Sequence, residues 1–120
     1  MALMTTYEYG TMRYYNSDRQ LHRNDIDPNT RLTLPAVECA NGYKSWWIND
    51  RHHRDDLDPI TGLTLPAIEY ADGDKFWYKN DNLHRDDIDP ITGLTLPAIE
   101  YSNGDKEWWI NGVKYILIKI

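Results

Sequence analysis

A chain of 120 residues is one domain's length, with room for a single modest core. Its formal net charge of −6 gives it no general attraction for nucleic-acid phosphates or anionic membrane surfaces, so neither is an expected partner. Five Trp and nine Tyr stand against one Phe, and such rings, apolar in body with one polar atom, suit half-buried ladders and contact surfaces.

The opening residues "MALMTTYEYG" have neither the basic region nor the apolar run of a secretory leader. No stretch approaches the roughly 20 apolar residues of a membrane-spanning helix. Cys39 is the single cysteine, so no intrachain disulfide forms and a reducing interior is its natural setting. "YEYGTMRYY" opens residues 7–21, which we read as a degenerate N-terminal cap hairpin with Tyr14-Tyr15 in place of later Trp pairs.

From residue 22 the chain superimposes on itself after a shift of 31, giving units 22–52, 53–83 and 84–114. The cap fits this frame only with a slip of one residue before His22. His-Arg recurs at 22–23, 53–54 and 84–85, and Leu-Pro-Ala at 34–36, 65–67 and 96–98. Aromatic pairs fall at Trp46-Trp47, Trp77-Tyr78 and Trp108-Trp109. Asn41-Gly42, Asp72-Gly73 and Asn103-Gly104 lie between short runs of strand formers, which predicts a two-residue type I′ hairpin in each unit. On that register Val37, Ile68 and Ile99 oppose Trp46, Trp77 and Trp108, while Ala36, Ala67 and Ala98 oppose Trp47, Tyr78 and Trp109. The first ring of each pair is expected inside and the second partly exposed. Residues 115–120 read as a C-terminal closing strand, Tyr115 standing where a histidine would recur. Lys114 and Lys119 guard that edge against further pairing, and it is the favoured place for self-association. The fold expected over residues 1–120 is all-β: about four stacked β-hairpin repeats, as one twisted sheet or a short solenoid, with terminal capping strands.

The stretch "HRDDIDPITGLTLPAIEY" at 84–101 recurs at 53–70 with one change, Leu57 for Ile88. Four readings compete, and the structural one is preferred. In it Asp27, Asp58 and Asp89 accept from nearby backbone N–H groups, Pro presets φ, and Gly takes a left-handed position. Arg54 and Arg85 pair with Asp56 and Asp87 or with acids of the neighbouring unit, and His22, His53 and His84 belong to the same structural motif. Calcium binding by Asp86, Asp87, Asp89 and Thr92 is disfavoured, because the EF-hand order and its closing Glu are missing. A transition metal shared by the three histidines, with His52 adding a local pair to His53, is disfavoured because stacked hairpins hold equivalent atoms about 5 Å or more apart. Catalysis is the least favoured: no distinctive nucleophile or phosphate loop accompanies the His and Asp residues, and Cys39 stands where later units have Tyr70 and Tyr101. No catalytic residue, metal ligand or cofactor is therefore assigned.

The run "WYKNDNLHRDDIDPITGLTLPAIEYSNGDKEWWING" resembles the MORN-type repeats of giant DNA viruses and phages, W-Y-x-N-G…H-R…P-A…N-G. The aromatic pair, Asn80, His84-Arg85, Pro97-Ala98 and Asn103-Gly104 carry the likeness. The departure is the inserted "DIDPITGLTL", which expands the period to 31. The resemblance implies a hairpin array with a binding or scaffolding role, through protein contacts and in some cases membrane lipids, and supplies no catalytic residues. It also implies a viral or phage protein in the host cytoplasm or the virion. The expected partner is another protein, a host factor among the candidates, or a second copy, met by Trp47, Tyr78 and Trp109 with Arg54 and Arg85 nearby. The alternative is a nucleotide- or carbohydrate-binding module that uses the same rings and arginines.

Overall fold

The computed structural model describes residues 4–116 and Ile118. Its strands in chain order are β1 Met4–Glu8, β2 Thr11–Tyr15, β3 Val37–Cys39, β4 Lys44–Ser45, β5 Trp47–Ile48, β6 Arg51–His52, β7 Ile68–Glu69, β8 Lys75–Phe76, β9 Tyr78–Lys79, β10 Asn82–Leu83, β11 Ile99–Glu100, β12 Lys106–Ile110 and β13 Val113–Tyr115. Nine of them form one open antiparallel sheet in the order β1-β2-β3-β4-β7-β8-β11-β12-β13. The pairs β5–β6 and β9–β10 form two small ribbons beside it. The result is an elongated all-β array measuring 51 × 26 × 24 Å.

The three hairpins at Asn41-Gly42, Asp72-Gly73 and Asn103-Gly104 turn at the expected place but not in the expected way. Gly42 N–H donates to the Cys39 carbonyl (3.0 Å), Cys39 N–H donates to the Tyr43 carbonyl (2.9 Å), and only Gly42, at φ +104°, is left-handed. The loop therefore has three residues, 40–42, and the same bonds recur around Gly73 and Gly104. The side chain favours this form over a type I′ turn. Asn41 Oδ1 accepts from Tyr43 N–H at 3.0 Å, and Asp72 and Asn103 do the same for Asp74 and Asp105. The extra loop residue shifts the register by one, so Val37 opposes Ser45, Ile68 opposes Phe76 and Ile99 opposes Glu107. The expected pairs with Trp46, Trp77 and Trp108 are not formed, because a one-residue slip sends these rings to the opposite face.

Type I′ geometry appears instead one hairpin later, with left-handed φ at both central residues of Asn49-Asp50, Asn80-Asp81 and Asn111-Gly112, and also at Tyr9-Gly10 in the cap. The cap's one-residue slip has a physical cause: the segment between Tyr15 and its bridge partner Leu21 holds one residue more than that between Trp47 and His52. Asn16 Oδ1 closes this longer loop by accepting from Asp18 and Gln20 N–H. At the C-terminal side Tyr115 pairs with Trp108 in β13, while residues 117, 119 and 120 of the expected closing strand, Lys119 among them, lie outside the described residues.

The core is a file of small and branched residues. Ala36, Ala67 and Ala98 are fully buried, with Val37, Ile68, Ile99, Trp46 and Trp77 close to it. Glu38, Lys44, Glu69, Lys75, Glu100 and Lys106 oppose one another in turn across six strands. Such alternating cross-strand charges add about 0.2–1 kcal/mol per pair. Gly73→Ala should cost about 1–2 kcal/mol in urea unfolding, because φ at +102° disfavours any Cβ. The nearest atom to such a Cβ, on Ser102 at 3.6 Å, is at ordinary contact distance, so crowding adds little.

Candidate interaction surface

The repeated His-Arg-Asp stretch folds as a joint. Arg54 lies on the Trp46 ring, its guanidinium carbon 3.7 Å from the centroid. Its Nε donates to Asp56 at 2.8 Å, its Nη1 donates to the Pro66 carbonyl at 3.0 Å, and the same nitrogen lies 3.5 Å from Glu69. Arg85 repeats the arrangement with Trp77, Asp87, Pro97 and Glu100, and Arg23 repeats its main contacts with Tyr14, Asp25 and Pro35. Arg54 and Arg85 are each 6 % exposed. This corrects their expected place beside the outer rings: the stack on Trp and the paired carboxylate hold both guanidinium groups inside.

The acids join one unit to the next. Asp56 accepts from both the backbone N–H and the hydroxyl of Thr33, 23 residues earlier, and Asp87 accepts likewise from Thr64. Burial pushes Asp87 upward, but hydrogen bonds from Arg85 and Thr64 and the Arg85 charge outweigh it, leaving the carboxyl below its ordinary range. The first Trp of each pair donates Nε1–H to a connector carbonyl: buried Trp46 to Thr33, buried Trp77 to Thr64 and half-buried Trp108 to Thr95, all at 2.8–2.9 Å.

The histidines are absorbed in the same way. Nδ1 of His22, His53 and His84 accepts the backbone N–H of Asn49, Asn80 and Asn111 at 3.0–3.1 Å, which places the proton of the neutral ring on Nε2. His53 Nε2 then faces Asp55 at 2.7 Å. Asp27, Asp58 and Asp89 accept N–H groups two and three residues ahead, closing their own turns. Each of the four oxygen donors considered for calcium has a partner within the fold. Asp87 turns to Arg85 and Thr64, Asp89 and Thr92 to their own loop, and Asp86 to His84 at 3.6 Å.

The other face carries the rings. Trp47, Tyr78 and Trp109 are all half-buried, whereas Trp46 and Trp77 are each 5 % exposed. The Trp47 and His52 rings lie 3.6 Å apart at 38°, and His52 and Tyr78 lie 5.1 Å apart at 32°. Leu83 pairs with Tyr78 and Lys114 with Trp109, which extends the row. Tyr43, Tyr70, Phe76 and Tyr101 form a second row of edge-on contacts at 5.2–6.0 Å. Trp47 Nε1 donates to Ser45 Oγ and Trp109 Nε1 to Glu107, so each ring is tethered to the sheet.

The place of His52 in the ring row, and the tyrosine row, do not follow from the sequence. The signal for His52 is its position, which alternates as His52, Leu83 and Lys114 opposite successive rings. Its Nδ1 is buried with no hydrogen-bond partner among the described residues, and burial lowers its pKa despite the opposing Asp81 charge. The unfolded chain therefore binds a proton more readily than the fold does. The stabilising share of the neutral ring is present above its ordinary value near 6.5 and is lost as pH falls through the depressed folded value. His52→Leu should flatten the fall of the urea midpoint between pH 7.5 and the depressed range, and Leu83 shows that this position accepts the substitution.

Comparison with protein-family models, with curated proteins and with solved structures finds no match for this chain.

Proposed function

We propose that the chain is a non-enzymatic contact protein, of the viral or phage kind its MORN-like motif implies, and that it docks a host or viral protein along the row Trp47, His52, Tyr78, Leu83 and Trp109. The observation that carries this is the division of labour between the two faces. His22, His53, His84, Arg54 and Arg85 are engaged in internal bonds, while the ring row stays half-exposed on a tethered sheet. Rigid, partly exposed aromatic side chains supply contact area at low entropic cost, as protein interfaces require.

The nucleotide or carbohydrate alternative needs open ring faces with a cation beside them. Trp47, His52 and Tyr78 turn their faces toward one another, and Arg54 and Arg85 are buried on the inner rings. Two measurements test the proposal. A photo-crosslinking residue at Tyr78 should trap a protein in the native cell, while one at exposed Asp72 should not. A thermal-shift panel of nucleotides, sugars, calcium and zinc should leave the melting temperature unchanged, and a saturable rise with any of them would displace the protein-contact reading.

A further inference from the structure

The joint between units has a receiving half and an entering half. The earlier unit supplies an aromatic face and a threonine, and the later one supplies an arginine and the aspartate two residues on. Arg54 lies 3.7 Å over Trp46 while Asp56 accepts from Thr33. Arg85 lies 4.0 Å over Trp77 while Asp87 accepts from Thr64. The receiving half comes round once more as Trp108 and Thr95. There the chain departs from the repeat, with Tyr115, Ile116 and Ile118 standing where His84, Arg85 and Asp87 would recur.

Ile116 is 84 % exposed and Ile118 is 75 % exposed, so neither takes the buried place of its counterpart. An open pocket lined by Thr95, Trp108, Ile110, Tyr115 and Ile116 lies where Arg54 fills the first joint over Trp46. The Trp108 ring is half-buried for want of that cover. The N–H and hydroxyl of Thr95 meet no acceptor among the described residues.

We infer that this pocket receives an Arg-x-Asp segment of another protein, its guanidinium over Trp108 and its carboxylate on the Thr95 N–H and hydroxyl. Residues two apart in an extended segment point to one face, so both groups reach the pocket together. An apolar side chain would cover the ring but leave the Thr95 donors shut from water without an acceptor. A lone acid would answer Thr95 and leave the ring bare. The pair also arrives already neutralised, as Arg54 Nε on Asp56 at 2.8 Å does within the fold. A second copy has none to offer. Its Arg-x-Asp triplets are 23–25, 54–56 and 85–87, and all three arginines are closed onto their own rings. The inference goes beyond the ring-row reading and uses other residues, so the two can fail separately.

Amide and indole NMR of the full chain, titrated with a synthetic peptide of residues 83–90, "LHRDDIDP", tests it. The Trp108 indole N–H and the Thr95 backbone N–H should move together and saturate at millimolar peptide, while the Trp46 and Trp77 indoles stay in place. The same peptide carrying Arg85→Ala should bind at least about tenfold more weakly. With Asp87→Asn, the Thr95 shift should be largely lost. These variants lie in the peptide, so the fold of the protein is untouched. No movement at Trp108 overturns the inference, as does an Arg85→Ala peptide that binds as well as the parent. A Thr95 shift unchanged by Asp87→Asn overturns the seating of the carboxylate. Movement at Trp46 or Trp77 instead would mean entry into the internal joints and overturns the assignment to this pocket.

Discussion

Trp77→Ala is expected to lower the unfolding free energy by about 3–5 kcal/mol, and Tyr78→Ala by about 1 kcal/mol, when both are measured by urea unfolding. The two rings are neighbours in sequence and differ in what surrounds them. Trp77 is 5 % exposed, donates Nε1–H to the Thr64 carbonyl at 2.9 Å, and supports the Arg85 guanidinium 4.0 Å above its centroid. Removing it leaves a cavity, an unpartnered carbonyl and a buried cation without its aromatic floor. Tyr78 is half-buried and its ring contact is with His52 at 5.1 Å, so truncation exposes surface already near water. A reversed order of losses would mean that the ring row, not the inner Trp file, is the core.

Arg85→Ala is the second large effect, again about 3–5 kcal/mol, because it strands a buried carboxylate. The side-chain exposures of Arg85 and Asp87 are 5 % and 10 %, and the pair is 2.7 Å apart. The variant also frees the Pro97 carbonyl and Glu100, both within 3.3 Å of Nη1 in the parent. Arg85→Lys should recover only a small part of the loss, since one ammonium cannot lie flat on Trp77 and serve Asp87 and Pro97 together. Exposed Arg51→Ala should change stability by less than about 0.5 kcal/mol.

The sign of the pH dependence follows from the same site. Asp87 is held below the ordinary carboxylate range, so its contribution is present above about pH 4 and is lost as pH falls through the depressed folded value. Without Arg85 the burial that pushes the carboxyl upward is less opposed. Acid unfolding of Arg85→Ala should therefore begin at a higher pH than in the parent.

The period of 31, the hairpin character and the burial of Trp46 and Trp77 were legible in the sequence, because repetition marks equivalent positions without any knowledge of contacts; Trp108, in the last unit, is only half-buried. The register was not. Asn41-Gly42 satisfies both a two-residue and a three-residue loop, and the choice depends on whether the Asn side chain accepts from the residue two ahead. The type I′ turns were masked where Asp50 and Asp81 replace the glycine that Asn111-Gly112 retains. Those aspartates earn their place by accepting the backbone N–H groups of Leu21 and His52 from the preceding unit, a contact 29 residues away in sequence.

The joint was half legible. Asp58 and its turn follow from local chemistry, and the Arg54–Asp56 pair from a spacing of two. The burial of Arg54 and Arg85 did not follow, since arginine is ordinarily a surface residue unless it is paired. What holds it inside is a Trp eight residues earlier and a proline carbonyl twelve residues later, a combination that only the folded connector creates. The exposure of Ile60 and Ile91 was likewise hidden, because it depends on how the connector closes rather than on residue type.

The central claim is that the repeated His-Arg-Asp stretch locks one unit onto the next. A double-mutant cycle between Thr64→Val and Asp87→Ala, read by urea unfolding, tests it most directly, because these residues belong to successive units and meet through the Thr64 hydroxyl and N–H. The account predicts a coupling of about 1–2 kcal/mol for this pair and about zero for Thr64 with neighbouring Asp86. Additive losses for Thr64 and Asp87 would contradict it and return the stretch to the candidates for a ligand site.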